Sequence, residues 1–200
     1  MAFANFETKE INCKIGYFGP EGCGKTANLH SIFRMTSAKM KTGLFELSRK
    51  KNTEFFDFLP LSLGKINDFY LKMHLFSFPL VNLYKTASLM MMRGIDGYVF
   101  VTDSRLESVL ANFEAVDQLK KIFDEVGDSF VNVPCVFQFN KIDLSDQQIV
   151  RALSEEINPL GHASFEAIAI ESVGTLETLN AITKKILTQL SLKPAHARFS

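Results

Sequence analysis

One stretch near the N-terminus narrows the possible folds of this chain more than any other. Ile11-Asn-Cys-Lys-Ile-Gly-Tyr-Phe18 reads as a buried strand, and Gly19-Pro-Glu-Gly-Cys-Gly-Lys-Thr26 fits the phosphate-loop pattern G-x-x-x-x-G-K-[ST]. Thr26 to Arg34 then reads as a helix. Strand, glycine turn and helix in that order are the context the motif requires. Glycines at 19, 22 and 24 let the backbone curl so that successive N–H groups face phosphate oxygens, Lys25 adds a positive charge, and the Thr26 hydroxyl is offered to a magnesium ion. The positive end of the helix points at the same spot. The expected phosphate contacts are Gly19, Glu21, Gly22, Cys23, Gly24, Lys25, Thr26 and Ala27. A glycine turn beside a surface lysine is the alternative, and the flanking strand and helix weigh against it.

The 200 residues, 46% of them hydrophobic, suit one α/β domain over 1–200, because no Pro/Gly/Ser-rich linker or shift of composition divides the chain. Lys plus Arg equals Asp plus Glu at 22 each, so no global field draws the protein to nucleic acid or to an acidic membrane. Cys13, Cys23 and Cys135 lack C-x-x-C spacing, which points to reduced thiols in a cytoplasmic protein. No apolar run approaches the ~20 residues that span a bilayer, and neither Ala2 nor the ending Ala-Arg-Phe-Ser200 suits a lipid anchor. Nineteen phenylalanines stand against no tryptophan; at alternating strand positions they read as core.

Thr36 to Thr53 is lysine-rich and without clear periodicity, and reads as a long mobile loop over a ligand. Glu54 to Leu63 and Asp68 to Phe78 alternate apolar and polar residues around Gly64-Lys-Ile-Asn67, predicting a β-hairpin with Pro60 on an edge strand. Alternation predicts Phe56 and Phe58 inward and Phe55 and Asp57 outward, making Phe55 and Tyr84 candidate partner contacts. Pro79 to Met92 reads as irregular, then helical. Tyr98 to Asp103 reads as a central strand, and Leu106 to Val126 as a long helix with Leu110, Phe113, Val116, Leu119, Ile122 and Phe123 on its apolar face. Pro134 to Phe139 is the next strand, Ser145-Asp-Gln-Gln a helix start, Phe165 to Ile170 the last strand, and Leu176 to Leu190 the last helix. Residues 193–200 read as a flexible tail. The βαβα alternation predicts a mostly parallel P-loop sheet with helices on both faces and an antiparallel edge hairpin.

Asn140-Lys-Ile-Asp143 falls at the carboxyl end of a predicted strand, where ligands bind in open α/β sheets. The Asp143 carboxylate can accept from N1–H and the 2-amino group of guanine, a donor pair adenine lacks. Asn140 would brace the loop and the Lys141 stem would lie over the base. Alone, N-K-x-D is a weak tetrapeptide; downstream of a phosphate loop and three strands it is specific.

The chain resembles the Ras-like small GTPases and, more closely, the bacterial MglA branch, the polarity and gliding-motility switch. The resemblance spans nearly the whole chain. Its specific part is Phe55-Phe-Asp-Phe-Leu-Pro-Leu-Ser-Leu-Gly64, with Glu10-Ile-Asn-Cys-Lys14 and Gly94-x-Asp-Gly97. The resemblance implies that Thr53 completes the magnesium shell in the GTP state, and that Ala169 and Ile170 form the third guanine-contacting turn. The family's second switch reads Thr-x-Pro-Gly-Gln, and this chain has Ser77-Phe-Pro-Leu-Val81. Leu80 then takes the place of the γ-phosphate-sensing glycine, Val81 that of the water-positioning glutamine, and Asn52 that of the family's arginine. Arg49 is the nearest substitute.

These departures predict slow or absent hydrolysis, because an arginine finger alone is worth ~10³ to 10⁵ in rate. The first reading is a GTP/GDP-binding, Mg²⁺-dependent switch that recruits protein effectors at its switch face. The resemblance implies an MglB-like roadblock activator, response-regulator or repeat-containing polarity proteins, and recruitment from the cytoplasm to a cell pole. The alternatives are a nucleotide-locked scaffold that has lost turnover and an ATP-using small-molecule kinase, the latter disfavoured by Asp143.

Overall fold

The computed structural model describes residues 3–36, 40, 43–46, 57–66, 68–77 and 85–192. Among them the strands are β1 (Phe3–Asn5), β2 (Glu10–Phe18), β3 (Phe45–Glu46), β4 (Asp57–Ile66), β5 (Phe69–Ser77), β6 (Gly97–Asp103), β7 (Cys135–Asn140) and β8 (Ser164–Ala167). The helices are α1 (Lys25–Met35), α2 (Lys85–Met92), α3 (Val109–Val126), α4 (Gln147–Ile157) and α5 (Thr175–Leu192). The strands form one sheet in the order β3-β4-β5-β2-β6-β7-β8, with β1 antiparallel to the start of β2. From β5 to β8 every pairing is parallel, and β4 and β3 add an antiparallel margin. This is the P-loop sheet with an edge hairpin that the element order predicts.

Strand alternation sorts the core into two layers of different chemistry. One face is mainly aliphatic: Ile15, Val99, Val101 and Val136 meet Leu29 and Ile32 of α1 and Leu179, Ile182 and Ile186 of α5. The other is aromatic: Phe18, Tyr98, Phe100, Phe137 and Phe139 pack with Leu119 and Phe123 of α3 and Leu153 of α4. These phenylalanines are core, as their alternation implies. All three cysteines are free and buried.

Two motifs that carried the family resemblance turn out to be one structural clasp. Lys14 N–H donates to Asp96 Oδ2 (2.8 Å), and Asp96 N–H donates to Lys14 O (2.9 Å), locking the start of β6 beside β2.

The hairpin differs from expectation in its turn and its phase. Gly64, Lys65 and Ile66 continue β4 through a register shift between Ser62 and Lys65, with Gly64 at φ 91°, so the pairing runs on to Ile66 opposite Phe69. Asp57 is buried at 5% exposure with Leu59 and Leu61, whereas Phe58 is half-buried on the opposite face, stacked on Phe76 and His74. The predicted outward Asp57 and inward Phe58 are therefore reversed. The reason is that the face of β4 turned to α1 takes the odd-numbered residues. Ser62 N–H reaches outward to Met40 O (2.7 Å), so the same-facing Pro60 nitrogen lies on the outer edge and interrupts no bond to β5. The 36–53 stretch, read as a loop, contributes β3 to the sheet margin; Arg49, Asn52, Thr53, Phe55, Phe56, Leu80, Val81, Tyr84 and the 193–200 tail lie outside the described residues.

Two helical details also differ. Leu110 is 69% exposed, because Asn112, Ala115, Val116, Leu119 and Phe123 form the inward stripe of α3. The last strand stops at Ala167, and Ala169–Glu171 form a 3₁₀ turn. The N-cap of α4 is Asp146, whose carboxylate accepts from Gln148 N–H (2.7 Å).

Candidate functional site

Four connections leave the carboxyl ends of β2, β6, β7 and β8 on the same edge of the sheet, and those after β2, β7 and β8 carry the segments singled out in the sequence. The first is the phosphate loop. Gly24 has φ 107°, and a side chain there would collide with the Asn140 amide, so glycine is required both by conformation and by the approach of β7. No side chain caps α1, and its first turn holds no acidic residue, so the positive end of the helix is open to an anion.

Lys25 is 9% exposed, and its ammonium is held by the loop's own carbonyls, Gly19 O (2.9 Å) and Pro20 O (2.7 Å). Cys23 is fully buried, and burial pushes its thiol up, which makes it a packing residue and not a nucleophile. Thr26 Oγ1 donates to Asp57 Oδ2 (2.6 Å). The sheet register pairs Asp57 with Ser77. A carboxylate thus arrives beside Thr26 from the antiparallel strand.

Asn140 is the hub of the site. Its Nδ2 donates to Cys23 O (2.7 Å) and its Oδ1 accepts from Ala169 N–H (2.9 Å), joining the phosphate loop, the N-K-x-D loop and the third turn through one buried amide. Ala169 is buried and its N–H engaged, so Ile170, 71% exposed, is the member of the predicted pair that faces outward. Lys141 has φ 62°, and its ammonium binds Asp103 Oδ2 (2.8 Å), which anchors the far end of the stem. Asp143 is exposed in the 3₁₀ turn Ile142–Leu144 and has no hydrogen bond or ion pair with any described residue.

A cleft of about 550 Å³ runs from the phosphate loop to the third turn, lined by Gly22, Gly24, Lys25, Thr26, Ala27, His30, Arg34 and Ile170. Asp143 lies outside this lining. Arg34 bridges to Ile170 O and Ser172 Oγ, both at 3.2 Å. Sequence reasoning passed over His30 and Arg34, although Thr26, His30 and Arg34 repeat at four-residue spacing and so share one face of α1. It also missed Asp57 and Asp103, which only strand pairing brings to the site.

Asp103 is 1% exposed and receives a two-pronged bond from Arg105, Nε to Oδ1 (3.0 Å) and Nη2 to Oδ2 (2.7 Å), besides the Lys141 bond. Burial alone would raise this carboxyl, but the hydrogen bonds from Arg105 and Lys141 override it and hold it down at about 2. A carboxyl lowered on folding stabilises the protein above its ordinary value of 3.8, and that contribution disappears as pH falls to about 2. The expected loss is about 2 kcal/mol between pH 4 and pH 2. Urea titrations across that window should show a smaller acid-induced fall in Asp103→Asn than in the unmodified protein.

A mostly parallel sheet, a phosphate loop after its first long strand and a guanine-type N-K-x-D loop after β7 define a Ras-like P-loop G domain. No protein-family model matches the chain. It is 40% identical over 191 residues to the mutual gliding-motility protein MglA of Myxococcus xanthus, covering 95% of this chain and 98% of that protein. The chain belongs to the MglA family of Ras-like small GTPases.

Proposed function

We propose that the chain, folded as one domain over residues 1–200, is a guanine-nucleotide switch of MglA type that controls cell polarity or gliding motility by recruiting protein partners in its GTP state. The observation that carries this is the Asn140 hub, which ties the phosphate loop to both base loops, while the Asp143 carboxylate has no partner among the described residues. Lys25, Thr26 and the N–H groups of residues 21–27 hold the phosphates, Asp143 reads the guanine edge, and Ala169 and Ile170 close the base side. Mg²⁺ fits the donor set: Thr26 supplies a hydroxyl and Asp57 a carboxylate behind it, hard oxygens that suit an ion held largely by waters and phosphates. Among the described residues no cluster of three or more His, Cys, Asp or Glu could hold a metal by itself. When bound, the ion neutralises phosphate charge; the residues of this chain position the phosphates and the base.

Hydrolysis is slow in this reading, since Leu80, Val81 and Asn52 stand where the family carries its catalytic machinery. An MglB-like activator and response-regulator or repeat-containing effectors are the partners expected, docking at the switch face with Phe55 and Tyr84 as contacts. The protein works in the cytoplasm and is drawn to a cell pole by partners; no described helix is long and apolar enough to cross a membrane.

Denaturing the purified protein and separating the released nucleotide tests the first step: GDP or GTP supports the switch, and an adenine nucleotide sinks it. Single-turnover phosphate release tests the second. The triple variant Asn52→Arg/Leu80→Gly/Val81→Gln should hydrolyse GTP on the order of ten- to a hundredfold faster than the unmodified chain. Equal rates would mean that another group, with Arg49 the first suspect, supplies the chemistry.

A further inference from the structure

Behind the phosphate loop lies a hydrogen-bonded relay of side chains that none of the sequence motifs includes. Asn28 of α1, Gln138 of β7 and Thr178 of α5 are all 0% exposed. The two amides exchange hydrogen bonds, Asn28 Nδ2 to Gln138 Oε1 (2.7 Å) and Gln138 Nε2 to Asn28 Oδ1 (2.9 Å). Asn28 Nδ2 also donates to the carbonyl of Gly24, the phosphate-loop residue that precedes α1 (3.0 Å). Gln138 Nε2 also donates to Thr178 Oγ1 (3.0 Å), and Thr178 Oγ1 donates in turn to Gly174 O (2.6 Å), just past the third turn. Each amide therefore has both its nitrogen and its oxygen engaged inside the core.

The strand residues around Gln138 on this face are apolar. Val99, Val101 and Val136 cover the same face of the sheet, and a pair of aliphatic side chains would fill the space without desolvating two amides. What the amides supply is alignment, because an exchanged pair fixes relative position along the strand, whereas apolar contacts tolerate sliding. Gln138 precedes Asn140 by two residues and so projects from the same face of β7. The two side chains make successive rungs, Asn140 to Cys23 and Gln138 to Asn28, which grip the phosphate loop and the first turn of α1 at two points. The outer ends of the relay lie on Gly24 and Gly174, which flank the phosphate site and the base site.

The geometry points to Asn28, Gln138 and Thr178 as positioning residues that hold the phosphate loop in register with the guanine-reading strand, and thereby set how fast nucleotide leaves. This inference rests on the guanine-nucleotide reading above. It assigns to α1 and β7 a role in coupling the two halves of the ligand site, beyond their role in forming each half.

Dissociation of a fluorescently labelled GDP, chased by excess unlabelled GDP in the presence of Mg²⁺, tests it on the whole chain. In the double variant Asn28→Leu/Gln138→Met both partners become apolar at similar size, so the nucleotide-free protein should melt at or above the unmodified midpoint. Its labelled GDP should nevertheless leave roughly tenfold faster. Thr178→Val keeps the volume, removes only the outer end of the relay, and should speed release severalfold. Release from the double variant at the unmodified rate would overturn the inference, and so would acceleration that merely follows a fall in melting temperature. Should the double variant not fold, an unchanged rate in Thr178→Val overturns it equally. Failure of the unmodified chain to bind labelled GDP at all would instead overturn the guanine-nucleotide reading, and this inference with it.

Discussion

Asp143→Asn should weaken GTP and GDP binding by on the order of 10³-fold and bring xanthine nucleotides into the binding range, with the fold intact. Two charge-assisted hydrogen bonds to the guanine N1–H and 2-amino group are lost, each worth roughly 1.5 to 3 kcal/mol. The new amide donates where xanthine presents an oxygen in place of the amino group, so the preference is exchanged and not merely abolished. Asp143 is exposed and makes no bond to a described residue, so its change should leave stability within about 0.5 kcal/mol. Calorimetric titration with GDP and with XDP, beside a thermal melt, measures all three quantities. Unchanged GDP affinity would remove Asp143 from the base site and leave the N-K-x-D segment as an ordinary turn.

The second large effect is expected at a residue that the strand pattern had turned the wrong way. Asp57→Ala should weaken Mg²⁺-dependent retention of nucleotide by about ten- to a hundredfold, the usual cost of removing a group that orients a metal ligand. Thr26 Oγ1 gives its proton to Asp57 Oδ2 at 2.6 Å, which leaves the hydroxyl lone pairs for a cation on the other side. A buried carboxylate there would also add negative charge near a bound Mg²⁺. The strand β5 ends in Ser77, and its register partner Asp57 brings a carboxylate beside Thr26 from across the ladder. Nucleotide release measured over a series of free Mg²⁺ concentrations should show a strong dependence in the unmodified chain and a weak one in Asp57→Ala. Asp57→Asn, which still accepts from Thr26, should fall between them. Identical Mg²⁺ dependence in all three proteins would reduce Asp57 to a packing residue.

What the sequence determined by itself were the features governed by local chemistry. Gly19 to Thr26 needs only its own glycines, lysine and threonine to form an anion cradle, and apolar runs such as Tyr98 to Asp103 can be satisfied only in a strand covered on both faces. The order of elements then left few topologies, since parallel crossovers run one way. Asn140 and Asp143 were legible because they sit at fixed places in a short motif. Tertiary structure decided whatever depends on two distant segments meeting. The phase of β4 follows from which face packs on α1, and alternation alone is symmetric between the two faces, so Asp57 could be read outward when it lies buried beside Thr26. Asp103 acquires its place only when β6 is laid against β7 and Lys141 reaches back to it. Asn28 and Gln138, 110 positions apart, look like misplaced polar residues in apolar stretches until the sheet brings them into hydrogen-bond contact. Burial penalises an unpaired amide whatever its partner's distance along the chain, and a linear pattern does not encode that distance in space.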